Sequence, residues 1–473
     1  MRSLRLEPTT LTELERSLPP EWPEDPWPEI RARLASNPHT LVVVDDDPTG
    51  TQTVYDVPVL LTWSWKDLRA EMAQQAPAVY VLTNTRSMPE DQARAVSWRV
   101  GRAIAAAARS SRCAYSVASR SDSTLRGHFP TEVEALAKGT GERFDAWLLI
   151  PYFGEGGRVT VGNVHYVLDG GRLLPVGQTE FARDPVFGYR SSDLRSWVEE
   201  KTEGRIRAAE VASVGIEDVR AGPDRVASRL RGLPQGCVCV VNLLTQRDLA
   251  VFVAGLLRAE AAGLRYLYRT ASSFVAVRSG LPPHPTLRAD ALGLRRSVGG
   301  LIVVGSYVGR TTRQLDLLLR AHPAEAIEVT PDDLLPPSRR AAAVARAAAQ
   351  AERAIRLGRE AIVFTCRTRV QGRTPGEDLW IGRRIARGLA EIVRRMDVQP
   401  RYVLAKGGIT SYEVARWGLG ARRARVLGQI RPGIPVWRLG QEARAPDCPY
   451  VVFPGNVGED ETLLEVVRAL QGG

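Results

Sequence analysis

The chain has 473 residues, 44% of them apolar and 25% charged, with a formal net charge of +11. That length predicts two domains, and the composition is that of a globular chain rather than a disordered or fibrous one. No apolar run reaches transmembrane length and the N-terminus lacks the apolar middle of a signal peptide, so no membrane partner and a cytoplasmic location are expected.

Residues 1–38 are rich in Pro and Trp and are expected to form an irregular extension. From Thr40 onward, short β-rich runs alternate with helical stretches. "TLVVVDD", "AVYVLTNTR", "CAYSVASRSD" and "DAWLLIPYF" read as strands, with "PEDQARAVSWRVGRAIAAAARSS" and "FPTEVEALAKG" as helices between them. Between residues 154 and 202 the pattern loosens and loops are expected. It resumes at "CVCVVNLL", where Cys237 and Cys239 have no second pair at metal spacing and read as small apolar residues of a buried strand. A helix and "YLYRTAS" follow. A Pro- and Gly-rich stretch then marks a boundary near residues 278–298. The second half restarts with "GGLIVVGSYVGRTTRQLDLLLRA", and "EAIEVT", "AIVFTCR", "RYVLAKGG" and "YVVFPGN" are further strands. Strands alternating with helices predict an α/β fold of two lobes, each a mainly parallel sheet flanked by helices, with the site in a cleft between them.

The positive charge is carried almost wholly by arginines, singly or in pairs on alanine-rich helices such as "RRAAAVARAAAQAERAIRLGRE". A solvated helix face explains these better than nucleic acid, and a small anionic substrate fits the charge equally well.

The polar residues gather beyond strand ends, where open parallel sheets hold their ligands. Asp45, Asp46 and Asp47 end one strand. An Asx-turn at Pro48-Thr49-Gly50 explains one of them, not three. Asn84, Arg86 and Ser87 end another. Arg120, Asp122, Ser123, Thr124 and Arg126 end a third, and Arg158, Thr160 and His165 follow a fourth. Carboxylates, hydroxyls and guanidinium groups together suit a small hydroxyl-rich anion. In the second half, "GSYVGRTTRQ" with Ser306, "AKGGITSYEV" with Lys406, Gly408, Ile409, Thr410 and Ser411, and "VVFPGNVGEDETL" with Gly455 and Asn456 are three strand-to-helix turns that offer backbone N–H groups to phosphate. No Gly-Lys dipeptide occurs, so there is no P-loop. No G-x-G-x-x-G follows a strand, so a Rossmann dinucleotide site is unsupported.

Eight motifs in order, "DDDPTG", "NTRS", "DSTLRG", "GRVTVGNVHYV", "TEFARDP", "GSYVGRTTRQ", "KGGITS" and "PGNVG", resemble the four-carbon acid sugar kinase family over residues 40 to 468. The resemblance implies a sugar-acid-binding domain at 39–285 and a nucleotide-binding domain at 295–470. It implies transfer of the γ-phosphoryl group of ATP, accompanied by Mg²⁺, to the terminal hydroxyl of threonate, erythronate or an oxo-tetronate. Asp45, Asp46, Asp47, Arg86, Arg120, Asp122, Arg126 and Arg158 would hold the sugar acid. Ser306, Lys406, Gly408, Ile409, Thr410, Ser411, Gly455 and Asn456 would hold ATP. The base would be Asp46, with Asp122 behind it, and no metal ligands are assigned. The partners implied are the sugar acid and ATP, without nucleic acid, and a homodimer is an assembly this allows. Three departures look like a distinct subgroup: "DDDPTGTQTV" for two aspartates with Leu-Thr-Gly-Ala, Arg120 for a lysine, and Pro454 for a serine. A kinase of another small hydroxy acid, or a sensor that binds without turnover, remain the alternatives.

Overall fold

The structure, a computed structural model, describes residues 7–294, 297–367, 370 and 372–472. Residues 1–6 of the extension and 295–296 of the boundary stretch lie outside the described residues. The chain forms two compact units. The first comprises Met1–Asp46, Trp63–Tyr80 and Glu90–Pro282; the second comprises Asp47–Thr62, Val81–Pro89 and Pro283–Gly473.

In the first unit the strands lie in the order 78–80, Thr40–Asp45, Tyr115–Arg120, Tyr266–Thr270, Ala146–Ile150, Cys237–Val241 and Ala212–Val214. From Thr40–Asp45 to Ala212–Val214 every neighbouring pair is parallel. Thr40–Asp45 is buried at every position, as a β-branched run between two helix layers requires. The chain leaves this strand for 78–80 on one side, then returns to Tyr115–Arg120 on the other. That reversal opens a crevice beyond the carboxyl ends of Thr40–Asp45 and Tyr115–Arg120.

Where loops were expected, residues 154–202 hold a three-stranded antiparallel sheet of Arg158–Val161, Val164–Asp169 and Arg172–Pro175, and a helix Leu194–Lys201. Its two hairpins turn at Gly162-Asn163 and Gly170-Gly171, each with two consecutive positive φ angles. Such turns match the twist of the flanking strands. The extension is not irregular either. It contains helices Leu11–Arg16 and Trp27–Ser36, and Arg247 donates to the Trp22 and Pro23 carbonyls at 2.6 Å each. Arg258 pairs with Glu29 at 2.6 Å, and Arg220 donates to the Pro19 carbonyl at 2.6 Å.

In the second unit five parallel strands run in the order Ala324–Val329, Glu360–Thr365, Leu301–Val304, Val403–Lys406 and Pro449–Phe453. An antiparallel run of Ile434–Leu439, Arg423–Arg431 and Pro58–Leu60 continues the sheet. The segment 47–62 is tied in by side chains too. Gln52 Nε2 donates to the Gly433 carbonyl at 3.1 Å and Trp437 Nε1 to Thr51 Oγ1 at 2.9 Å. Strand order reverses again between Leu301–Val304 and Val403–Lys406. Among the described residues, no helix is long and apolar enough to cross a membrane.

Candidate functional site

In the first unit the aspartates are placed by strand register. Asp45 stands opposite Arg120 across the parallel pair, and Arg120 Nη1 donates to Asp45 Oδ1 at 3.1 Å while its Nη2 donates to Ser272 Oγ at 3.1 Å. Both residues are buried. A buried pair of this kind depends on its hydrogen bonds to offset desolvation, so Arg120 orients Asp45 and Ser272 as well as carrying charge. Asp46 is 2% exposed. Its Oδ2 accepts from Ser121 Oγ at 2.5 Å, and its backbone N–H donates to the Arg120 carbonyl at 3.3 Å. Gly127 closes over this pair at φ +127°. A Cβ there would lie 2.5 Å from Ser121 Oγ, 3.1 Å from Asp46 Oδ2 and 3.2 Å from Arg269 Nη2. Arg269 and Ser121 therefore join the cluster. The sequence reading passed over Arg269, although it stands in a strand that ends "YRTAS".

Asp122 and Arg126 sit on the rim, partly exposed. Arg126 Nε donates to Asp122 Oδ2 at 2.5 Å, its Nη1 lies 3.6 Å from Asp184 Oδ2, and its guanidinium stacks 5.0 Å over Phe181. The "TEFARDP" stretch is thus a clamp on Arg126. Arg158 turns back on its own loop, donating to the Gly156 carbonyl and lying 5.9 Å over Phe153.

The loop from Asp122 to Arg126 is held from beneath by two carbonyl contacts. Tyr189 OH donates to the Thr124 carbonyl at 2.6 Å. His165 Nε2 donates to the Ser123 carbonyl at 2.7 Å, leaving Nδ1 to accept from Thr160 Oγ1 at 2.9 Å. Burial pushes the His165 imidazole down from 6.5 to about 4. Between those values the unfolded chain takes up a proton that the folded chain refuses, so stability falls as pH drops from about 6.5 to about 4, by up to about 3 kcal/mol. The urea midpoint of the wild type is expected to decline over that window. In His165→Gln the decline is expected to shrink, and an equal decline in both proteins would show that His165 does not carry it.

In the second unit the three glycine turns converge on the strand reversal. A Cβ at Gly407, whose φ is +107°, would lie 3.0 Å from Ser306 Cβ, and one at Gly455 would lie 2.8 Å from Ser306 Oγ. Thr311 Oγ1 donates to the Gly455 carbonyl at 2.9 Å and to Ser306 Oγ at 3.2 Å. Gln314 Nε2 donates to the Val457 and Glu459 carbonyls at 3.1 and 2.7 Å. The "TTRQ" residues thereby fasten one turn to another. Ser306, Gly408, Ile409, Gly455 and Asn456 are partly exposed. Lys406, Thr410 and Ser411 are buried. Lys406 Nζ donates to the Pro454 carbonyl at 3.1 Å and lies 3.8 Å from the Phe453 ring centre. Burial, with the charge of Arg310 adding, holds this amine well below the usual lysine range. Ser411 Oγ donates to the Ala405 and Gly407 carbonyls, both at 2.9 Å. Lys406 and Ser411 thus each donate to the turn backbone. Two cations that the sequence reading did not select stand at the same turns. Arg367 Nη1 donates to the Ser306 carbonyl at 2.8 Å, and Arg310 Nη1 to the Asn456 carbonyl at 3.4 Å.

The aspartate triplet is divided between the units, with Asp47 in the second. Its Oδ1 accepts from Thr49 N at 2.9 Å and its Oδ2 lies 3.5 Å from Arg86 Nη1. A Cβ at Gly408 would come within 2.6 Å of the Asp47 carboxyl carbon. Asp47 and Arg86 therefore lie beside the Gly407-Gly408 turn.

Two family models match the chain, a sugar-binding N-terminal domain over residues 41–278 and a nucleotide-binding C-terminal domain over residues 301–463. The chain belongs to the four-carbon acid sugar kinase family. The crystal structure of a Salmonella typhimurium LT2 protein, provisionally described as a tRNA synthase, is similar in fold, with a TM-score of 0.65 at 16% identity, covering 90% of this chain and 98% of that one. Haemophilus influenzae protein HI1011 is similar with a TM-score of 0.56 at 16% identity, covering 91% and 100%. No curated protein matches the chain with significance. The two family domains fall one on each crevice. The Asp45–Arg120 and Asp46–Ser121 cluster lies within the sugar-binding match, and the Ser306, Gly407 and Gly455 turns lie within the nucleotide-binding match.

Proposed function

We propose that the protein is an ATP-dependent kinase that phosphorylates the terminal hydroxyl of a four-carbon sugar acid. The observation that carries this reading is the pair of strand reversals, one lined by carboxylates and guanidinium groups, the other by glycine turns and a serine. Carboxylates accept from polyol hydroxyls and an arginine takes a carboxylate, whereas glycine turns expose backbone N–H groups to phosphate oxygens.

Phosphoryl transfer asks for positioning, charge neutralisation and an acceptor for the hydroxyl proton. Asp46 is proposed as that acceptor. Asp45 and Asp122 would take the other hydroxyls, while Arg120, Arg269 and the rim cation Arg126 balance their charge. Ser306, Gly408 and Gly455 would receive the phosphates, with Arg310 and Arg367 adding positive charge at the same turns. Mg²⁺ bound with ATP would supply charge neutralisation for the phosphates and would need one or two protein carboxylates. Among the described residues, no cluster of three or more His, Cys, Asp or Glu could hold a metal. Asp47 fits the single-carboxylate case, because its carboxyl group lies against the Gly408 turn.

The test is ADP release from Mg·ATP with a panel of D- and L-threonate, D- and L-erythronate, the oxo-tetronates and longer aldonates. Release with one four-carbon acid is the expected result. Release only with other hydroxy acids would keep the kinase and reassign the pocket. Nucleotide binding without release across the panel would turn the reading towards a sensor.

A further inference from the structure

Helix Pro375–Arg395 carries a second constellation that phosphoryl transfer does not use. Trp380, Arg383, Arg384, Arg387 and Glu391 recur along it at spacings of three and four and so share one face. With Arg340 from helix Pro337–Arg356 they line a groove of about 630 Å³. Arg340 is taken up by Glu391 in a two-bonded pair at 2.7 and 2.8 Å. Arg387 Nη1 holds Glu413 Oε2 at 2.9 Å. Two arginines remain outside these pairs. Arg384 donates to the Leu335 carbonyl at 3.1 Å and stacks 5.2 Å over Trp380. Among the described residues, Arg383 has no hydrogen-bond or ion-pair partner. Trp380 is 55% exposed, an unusual state for so large an apolar ring.

A half-exposed indole that carries the Arg384 guanidinium, with Arg383 beside it, suits a flat ring bearing an anion. The ring stacks, and the guanidinium groups take phosphate or carboxylate. The volume is that of a small-molecule site. We propose that this groove binds a planar organic anion of mononucleotide size, and that it reports to the nucleotide turn through Arg387 and Glu413. Glu413 is the last residue of helix Gly408–Glu413, which begins at the phosphate-facing glycine. A π-turn, Val414–Gly418, follows, and Trp417 within it lies 3.9 Å under Arg387 and 4.4 Å under Arg416. Such turns recur at functional sites. The Glu413 carboxyl is 1% exposed, and burial raises it above the usual carboxylate range. An anion that competes for Arg387 weakens the main arginine charge facing a buried carboxylate, which Arg383 and Arg416 also face, and the helix that carries it must shift or take up a proton. The reporting step rests on the nucleotide reading of the Gly408 turn; the groove itself does not.

Adenosine monophosphate is a suitable probe, titrated calorimetrically into the whole protein. Two sites per chain are expected. One should weaken at least tenfold in Trp380→Ala and, separately, in Arg383→Gln, both at surface positions. A single site lost in those variants would support the groove and count against nucleotide binding at the glycine turns. A single site untouched by both variants, or none, would overturn the groove. Two sites with an Arg387→Gln variant that leaves nucleotide affinity at the turn unchanged would overturn the coupling.

Discussion

Asp46→Asn is expected to lower kcat for sugar-acid phosphorylation by about 10²- to 10⁴-fold, the range spanned by a single general acid–base group, and to leave ATP affinity within about twofold. The asymmetry follows from where Asp46 stands. It is 2% exposed in the first unit and accepts the Ser121 hydroxyl at 2.5 Å, while the glycine turns belong to the second unit. Asparagine keeps the shape and one acceptor, so the fold should persist, but it cannot take a proton from an attacking hydroxyl. Calorimetry with ATP and a coupled ADP assay separate the two effects. A variant with kcat within threefold of wild type would remove Asp46 from the role of base and leave Asp122 to be tested.

Gly127→Ala should damage both stability and turnover. Its φ of +127° is open to glycine and costly for alanine, and such strain is worth on the order of 1–3 kcal/mol. The added carbon would also press on Ser121 Oγ at 2.5 Å, displacing the hydroxyl that Asp46 holds. A loss of about 2 kcal/mol lowers Tm by about 4–8 °C in a unit of this size, and turnover should fall more than tenfold. Gly170→Ala is the control. Its φ is +53° and nothing lies within 4 Å of the new carbon, so it bears backbone strain alone and should leave turnover unchanged. Equal turnover in the two variants would show that crowding at Ser121 and Asp46 does not matter.

Much of this was legible in the sequence because parallel strands are apolar throughout and end abruptly in polar turns. "TLVVVDD" announces its strand and the polar turn at its carboxyl end together, and the alternation with helices gives the parallel strands of both units. The family motifs added what single turns could not. Three things escaped for physical reasons. The antiparallel sheet at 158–175 has strands of only four to six residues joined by Gly-Asn and Gly-Gly turns, so its alternation is too short to stand out from a loop. Arg269 reads as one more arginine among many until the strand order brings it beside Gly127. Lys406 and Ser411 look like ligand-facing residues in a glycine turn, yet each side chain satisfies a nearby carbonyl, which depends on backbone path rather than residue type. The division of the aspartate triplet is likewise a property of tertiary contacts, and nothing in three consecutive Asp residues marks it.

The second unit is not a continuous stretch of gene. It draws on 47–62 and 81–89 as well as everything after Pro283, and Arg423–Arg425 pair with Pro58–Leu60 from that early segment. A chimaera joined once near residue 283 would therefore inherit a nucleotide-binding half whose Pro58–Leu60 strand and whose Asp47 come from the other parent. Such a hybrid places a foreign strand against Arg423–Arg425 and a foreign carboxylate against Gly408, so the halves must co-evolve across junctions far apart in sequence. A loop that lies wholly within one unit, such as Asp122–Arg126, is thus easier to exchange between relatives than a whole half.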